Sequence, residues 1–152
     1  MSSIPSKTNC GPTTHRLERI DQGLGDRRWD VVHWTFGLHE LKHMGPNREN
    51  VADPTAETSR PQVATEAYEA NIKSLVERIK QAGTVVIWWQ MSPVPGGADG
   101  RLPGDAKRYN AAAAKVIAEV GDIWPGRSRK STRPGATGVV ELSPLEFLDR
   151  LA

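Results

Sequence analysis

Histidine and glutamate at a metal-binding spacing are the first candidate for chemistry in this chain. His39, Glu40 and His43 form an H-E-x-x-H pattern. On a helix the two histidines would lie on one face and bind zinc, and the glutamate would be the general base. The Gly45-Pro46 pair would end a helix directly afterwards. Zinc-dependent hydrolysis through His39 and His43 is therefore a weaker hypothesis than the two functions that the rest of the sequence supports, ester hydrolysis and ligand binding.

Nucleophilic catalysis needs a Ser or Cys, a base, and an acid that orients the base. The sequence contains no G-x-S-x-G motif, and its 4 histidines all lie at or before residue 43. The sequence has 1 cysteine, Cys10, and His15 is the histidine near it that would serve as its base in a catalytic dyad. A lone cysteine is more often an inert apolar group than a nucleophile, and it excludes a disulfide framework. We expect no cofactor.

Charge and hydropathy narrow the classes of partner. Lys and Arg number 20 and Asp and Glu 18, and the net charge of +2 does not indicate nucleic-acid or membrane binding. No apolar run approaches the roughly 20 residues of a membrane span. The basic stretch 127–133 lacks interleaved aromatics, which favours a solvated loop over phosphate contacts. Residues 1–8 lack the apolar core of a signal peptide. The chain as given would be cytoplasmic, and the sequence leaves the compartment of the protein open.

The elements that would position these residues follow from hydrophobic periodicity. Aromatic and β-branched residues predict strands over 29–36 and 84–91, and the second is apolar enough to be covered on both faces. Three helices are predicted before residue 121: 14–24, 65–82 with Thr65 as its cap, and 105–120 with Asp105 as its cap. The middle helix has an apolar face made of Tyr68, Ile72, Leu75, Val76 and Ile79.

Strand, helix, strand and helix in this order predict an α/β fold with a parallel sheet. Ligands bind outside the carboxyl ends of such strands, where the long loops 37–64 and 92–104 begin. After Gly121 the composition becomes basic and rich in Pro and Gly. We therefore predict a domain over 1–121 and a tail over 122–152, with a short final helix from Ser143 to Leu151.

Several short sequence motifs occur in an order that is typical of a known protein family. They are N-C-G-P-T-T at 9–14, W-D-V-V-H at 29–33, G-L-H-E-L-K at 37–42, V-I-W and S-P-V-P within 86–95, and Y-N at 109–110. Together they resemble the SGNH (GDSL-type) hydrolase family over about residues 9–120. The most similar branch is a bacterial one that carries G-L-H-D-L-K in its third block.

The resemblance implies a flavodoxin-like three-layer sandwich with a parallel sheet. It also implies hydrolysis of a small ester or an acylated carbohydrate. Gly11 matches the glycine of the oxyanion hole, and His39 stands where the family has the asparagine donor. A neutral imidazole can donate one N–H there. Glu40 replaces the usual aspartate, and we expect it to brace the loop.

The sequence also departs from the family pattern. It has no G-D-S block for the nucleophile, and no histidine follows His43 to form the late D-x-x-H block. We therefore expect an incomplete domain that is inactive as this chain. We also expect that translation begins further upstream and that the tail after Gly121 arises from a frameshift.

The alternative is a non-catalytic binding module on the same fold. It would use the tryptophan-rich strand ends and the two long loops to hold a ligand without turnover. Trp29, Trp34, Trp88 and Trp89 lie on the predicted strands. Alternation along a strand places Trp88 and Trp89 on opposite faces, so core packing is their first expected role.

Overall fold

The described part of the chain has an α/β fold with three helices and five short strands. The computed structural model describes residues 11–26, 28–51 and 53–126. In chain order the elements are α1 (Thr13–Leu24), β1 (Val31–Trp34), β2 (His43–Met44), β3 (Arg60–Pro61), α2 (Thr65–Gln81), β4 (Val85–Trp89), α3 (Asp105–Val120) and β5 (Ile123–Gly126). Cys10 and the segment 127–152, with its basic stretch and predicted final helix, lie outside the described residues.

The main sheet is parallel, with strand order β1-β4-β5. Val31 pairs with Val85 and Trp34 with Trp88, so β1, α2 and β4 form the predicted βαβ unit. β5 pairs in parallel with the other edge of β4. The α/β class with a parallel sheet is therefore confirmed, whereas the flavodoxin-like sandwich stays a prediction.

Helix α2 is the centre of the core. It packs against α1, α3 and β4, and its buried residues are the five predicted from the apolar periodicity. The ring of Tyr68 meets that of Tyr109 on α3 at a centroid distance of 5.1 Å, with the rings inclined at 60°. This edge-to-face contact fixes the two helices against each other near their N-terminal ends.

The two faces of the main sheet differ in exposure. Val86 and Trp88 are buried against the helices, whereas Val85 is 50% exposed and Ile87 and Trp89 are only half-buried. The expected cover on both faces of β4 is therefore wrong over the described part of the chain. The reason is that α2 packs on the Val86–Trp88 face with α1 and α3 as its neighbours, so no described helix remains for the other face.

His33 lies on the more exposed face, where its ring meets Trp89 edge-on at a centroid distance of 5.6 Å. Burial lowers the pKa of His33 below its ordinary value. The unfolded chain therefore binds a proton at this position more readily than the folded chain. Stability contributed by neutral His33 is present above its ordinary pKa of about 6.5 and is lost as the pH falls below it.

We expect a His33→Gln variant to lose less stability in acid than the unsubstituted protein. Urea unfolding of both proteins between about pH 5 and 8 measures this difference. The free energy of unfolding of the unsubstituted protein, relative to that of the variant, should fall as the pH falls. Parallel curves for the two proteins would contradict the effect of burial on His33.

Several predicted boundaries are wrong. Asp105 is the first residue of α3 rather than its cap, which is Gly104 with φ of +92°. Ala64, not Thr65, precedes α2, and it makes no side-chain capping hydrogen bond. Strand β5 follows Gly121 in the chain, and the division into a domain over 1–121 and a tail over 122–152 stays a prediction. No helix among the described residues is long and apolar enough to cross a membrane.

Candidate functional site

The turn that follows β1 carries two of the predicted site residues, His39 and Glu40. Leu41 N–H donates to the Gly37 carbonyl at 3.0 Å, and Lys42 N–H donates to the His39 carbonyl at 3.2 Å. The side chain of Leu41 is fully buried and anchors the turn in the core. The turn therefore lies at the carboxyl end of a parallel strand, where α/β proteins bind ligands.

Glu40 is fully buried and joins this turn to α1. Its Oε1 accepts a hydrogen bond from the backbone N–H of Thr13 at 2.6 Å, and Thr13 is the first residue of α1. A carboxylate at a helix N-terminus satisfies a donor that the helix itself leaves unpaired, and it interacts favourably with the helix dipole. Glu40 Oε2 has no hydrogen-bond partner within the described residues.

Gly11 lies just before α1, close to this junction. Its φ of +63° is in the left-handed region, and a Cβ built on it would lie 3.3 Å from His15 Nδ1. The amide of Asn71 on α2 donates to the Thr13 hydroxyl at 3.1 Å. The segment that contains Gly11 is thus held from two sides, by α2 and by Glu40.

The loop 92–104 also contacts the turn 37–41. Arg101 Nε donates to the Leu38 carbonyl at 3.0 Å, and Arg101 Nη1 donates to the Asp99 carbonyl at 3.1 Å. The Leu38 side chain is 48% exposed, and the neighbouring His39 is half-buried. The structure therefore brings the start of α1, the turn 37–41 and Arg101 to the same end of the sheet.

Gly37 sets the path of the chain into this turn. Its φ of +143° favours glycine, and an added Cβ would lie 2.0 Å from Met91 Cε and 2.6 Å from Met91 Sδ. We expect Gly37→Ala to lower the free energy of unfolding by about 1–3 kcal/mol, because the backbone is strained and buried Met91 must move. Urea unfolding measures this loss.

Gly96→Ala is the matched control for this substitution. An added Cβ at Gly96 would meet no atom within 4 Å. Its effect should stay within about 0.5 kcal/mol, as for other surface substitutions. Equal stability of the two variants would show that the Gly37 backbone is not restrictive.

The geometry does not give the H-E-x-x-H segment the helix that zinc binding requires. Residues 38–41 form a turn, and His43 begins β2. His43 Nδ1 lies 2.6 Å from Ser59 Oγ, and His43 Nε2 lies 3.5 Å from Asp105 Oδ2. Within the described residues, no group of three or more His, Cys, Asp or Glu side chains could hold a metal ion.

Ser59, His43 and Asp105 form a Ser-His-Asp contact that sequence reasoning missed. Its arrangement is unlike that of a serine hydrolase, in which the serine contacts Nε2 and the aspartate contacts Nδ1. Ser59 is 4% exposed, and its hydroxyl donates to the Pro54 carbonyl at 2.7 Å. A serine that is buried and already donating is a poor nucleophile, so this contact is structural.

The four tryptophans on the predicted strands lie in three different environments. Trp34 and Trp88 are buried in the core, whereas Trp89 is half-buried on the more exposed sheet face. Trp29 precedes β1, and its Nε1–H donates to the Leu24 carbonyl at 2.8 Å. Among these four tryptophans, Trp89 is the one placed on a face that no described helix covers.

Comparisons with known proteins add no family assignment. No family model matches the chain, and no curated protein sequence matches it significantly. The function proposed below therefore depends on the motifs and on the geometry of this chain.

Proposed function

We propose that the described residues form the oxyanion-hole side of an SGNH-type ester hydrolase domain with a flavodoxin-like sandwich fold. The 152-residue chain does not turn over esters by itself. The observation that carries this proposal is the buried hydrogen bond from Thr13 N–H to Glu40 Oε1. It links the two segments, 11–14 and 37–42, that the resemblance assigns to the oxyanion hole.

The chemistry of such a site is stabilisation of a tetrahedral intermediate. When an ester carbonyl is attacked, its oxygen becomes an anion, and donors held at a fixed position stabilise that charge. In this proposal the Gly11 N–H and a His39 ring N–H are the two donors. Glu40 is a positioning residue, because it holds the start of α1 against the turn that carries His39.

The same chain does not contain the family's nucleophile or base. The sequence has no G-D-S block and no histidine after residue 43. We expect p-nitrophenyl acetate to hydrolyse no faster with the purified chain than in buffer alone. We also expect a fluorophosphonate probe not to label the chain. Hydrolysis that Ser59→Ala abolishes would instead make the Ser59–His43–Asp105 contact catalytic.

Ligand binding tests the oxyanion hole separately from turnover. A methylphosphonate monoester mimics the tetrahedral anion, and transition-state mimics bind the groups that stabilise the transition state. We expect it to shift the NMR signals of the Gly11 amide and the His39 ring. His39→Ala should weaken its binding by about tenfold or more.

His33→Ala is the matched control for ligand binding, because it removes an imidazole from the more exposed sheet face. It should leave phosphonate binding unchanged. Binding that depends on His33 and not on His39, or no saturable shift at Gly11, would contradict the oxyanion-hole assignment.

The second candidate function is a non-catalytic carbohydrate-binding module. The observation that favours it is the half-buried ring of Trp89 beside His33, on the sheet face that no described helix covers. Aromatic rings provide apolar contact area together with a polar edge. Saturable sugar binding that Trp89→Ala removes and His39→Ala preserves would support this function over the first.

A further inference from the structure

His43 lies at a junction of three segments outside the proposed oxyanion hole. It begins β2, and its backbone N–H donates to the Gly100 carbonyl of the 92–104 loop at 2.6 Å. Its ring contacts Ser59, in the loop before β3, and Asp105, at the start of α3. The residue is 7% exposed, so these contacts are shielded from solvent.

The hydrogen bonds of Ser59 determine where one ring proton of His43 lies. A serine hydroxyl has a single proton, and a carbonyl oxygen can only accept. The Ser59 hydroxyl donates to the Pro54 carbonyl, so the 2.6 Å contact with His43 Nδ1 requires Nδ1 to be the donor. His43 therefore carries a proton on Nδ1.

The other ring nitrogen has a different environment in each charge state. His43 Nε2 and Asp105 Oδ2 are 3.5 Å apart, both atoms are buried, and neither has a hydrogen-bond partner within the described residues. In neutral His43 a lone pair on Nε2 would face the carboxylate. In the imidazolium form, Nε2–H would point a positively charged donor at Asp105, and shielding from water strengthens that interaction.

The neighbouring charged groups have their own partners. Arg108 Nη2 lies 3.2 Å from Asp105 Oδ1, the oxygen that does not face His43. Lys42 Nζ donates to Asn50 Oδ1. Arg60, on β3, donates to the carbonyl groups of Glu57 and Ser59. The carboxylate of Asp105 is thus the charged group that faces His43 Nε2.

We propose that His43 is a proton-dependent latch between the β2–β3 hairpin, the 92–104 loop and the start of α3. Protonation of Nε2 closes the latch on Asp105, and loss of that proton opens it. Because Arg101 of the same loop donates to the Leu38 carbonyl, closure also steadies the turn beside His39.

NMR of the imidazole nitrogens and of the His43 amide tests the latch directly. We expect both ring nitrogens of His43 to carry protons in acid and Nδ1 to keep its proton after Nε2 loses its own. The His43 amide reports docking of the 92–104 loop. Its protection factor should be about tenfold higher near pH 5 than near pH 8, the ratio expected from one charge-assisted hydrogen bond.

Asp105→Asn separates the latch from general effects of pH. An asparagine amide can donate to neutral Nε2, so closure would no longer need a proton. We expect the variant to lose the pH dependence of His43 amide protection, while His33→Gln keeps it. Equal pH dependence in Asp105→Asn and the unsubstituted protein, or a neutral His43 with its proton on Nε2, would overturn the proposal.

Ser59→Ala provides an independent test if Asp105→Asn does not fold. Without the serine oxygen, Nδ1 loses its acceptor, so neutral His43 can place its proton on Nε2 and donate to Asp105. We expect the ring proton to move from Nδ1 to Nε2 in neutral His43 and the pH dependence of amide protection to decrease. A neutral tautomer that stays on Nδ1 would overturn the proposal.

Discussion

Glu40→Ala is expected to lower the free energy of unfolding by about 2–4 kcal/mol. The fully buried side chain accepts the Thr13 N–H, and alanine would leave that donor without an acceptor and open a cavity. Removal of a buried charge returns part of this cost, because the carboxylate no longer has to be held away from water. Urea unfolding monitored by tryptophan fluorescence measures the loss.

Glu40→Gln separates the hydrogen bond from the charge. Its amide oxygen can still accept from Thr13 N–H in nearly the same volume, so its loss of stability should stay below about 1 kcal/mol. Glu77→Ala, at an exposed position of α2, serves as the surface control. Equal stabilities for Glu40→Ala and Glu77→Ala would show that Glu40 does not hold α1 to the turn.

Tyr68→Ala is expected to lower the free energy of unfolding by about 3–5 kcal/mol, the range for truncation of a large buried aromatic side chain. Tyr68 is fully buried, packs against Tyr109, and donates its hydroxyl proton to the Phe36 carbonyl at 3.1 Å. Burial raises the pKa of Tyr68, and nearby Glu40 raises it further. The hydroxyl therefore remains a donor to Phe36 throughout the ordinary pH range.

Tyr68→Phe is the matched variant for the hydroxyl group. It keeps the ring and removes one hydrogen bond, so its expected loss is about 1 kcal/mol. Because Phe36 directly precedes Gly37, amide hydrogen exchange in the turn 37–41 should also become faster. If Tyr68→Phe and Tyr68→Ala were equally unstable, the hydroxyl contact and not the ring packing would dominate.

The parts of the fold that the sequence predicts are those with many mutually consistent local signals. Helix α2 has an apolar residue on each turn of one face, and burial follows that pattern. The strand β5 gives no such signal, because Ile123, Trp124, Pro125 and Gly126 mix strand-forming and loop-forming residues. They become a strand because the edge of β4 is available for pairing.

The candidate site also has one part that the sequence predicts and another part that it does not. The turn 37–41 lies at the carboxyl end of a strand, and the predicted order of strands and helices in an α/β fold already implies this position. The Thr13–Glu40 and Ser59–His43–Asp105 contacts join residues far apart in the chain, and no local periodicity records them. The H-E-x-x-H spacing misleads because it assumes a helix, whereas Gly37 starts a turn.

The order of strands in the main sheet has a consequence for how the protein can be made. Because β1, β4 and β5 lie side by side in the order in which the ribosome synthesises them, each new strand pairs with the free edge left by the previous one. Among the described strands of this sheet, none has to enter between two that are already paired, and none of their connections has to be threaded. Assembly of the sheet can therefore follow synthesis, one crossover at a time.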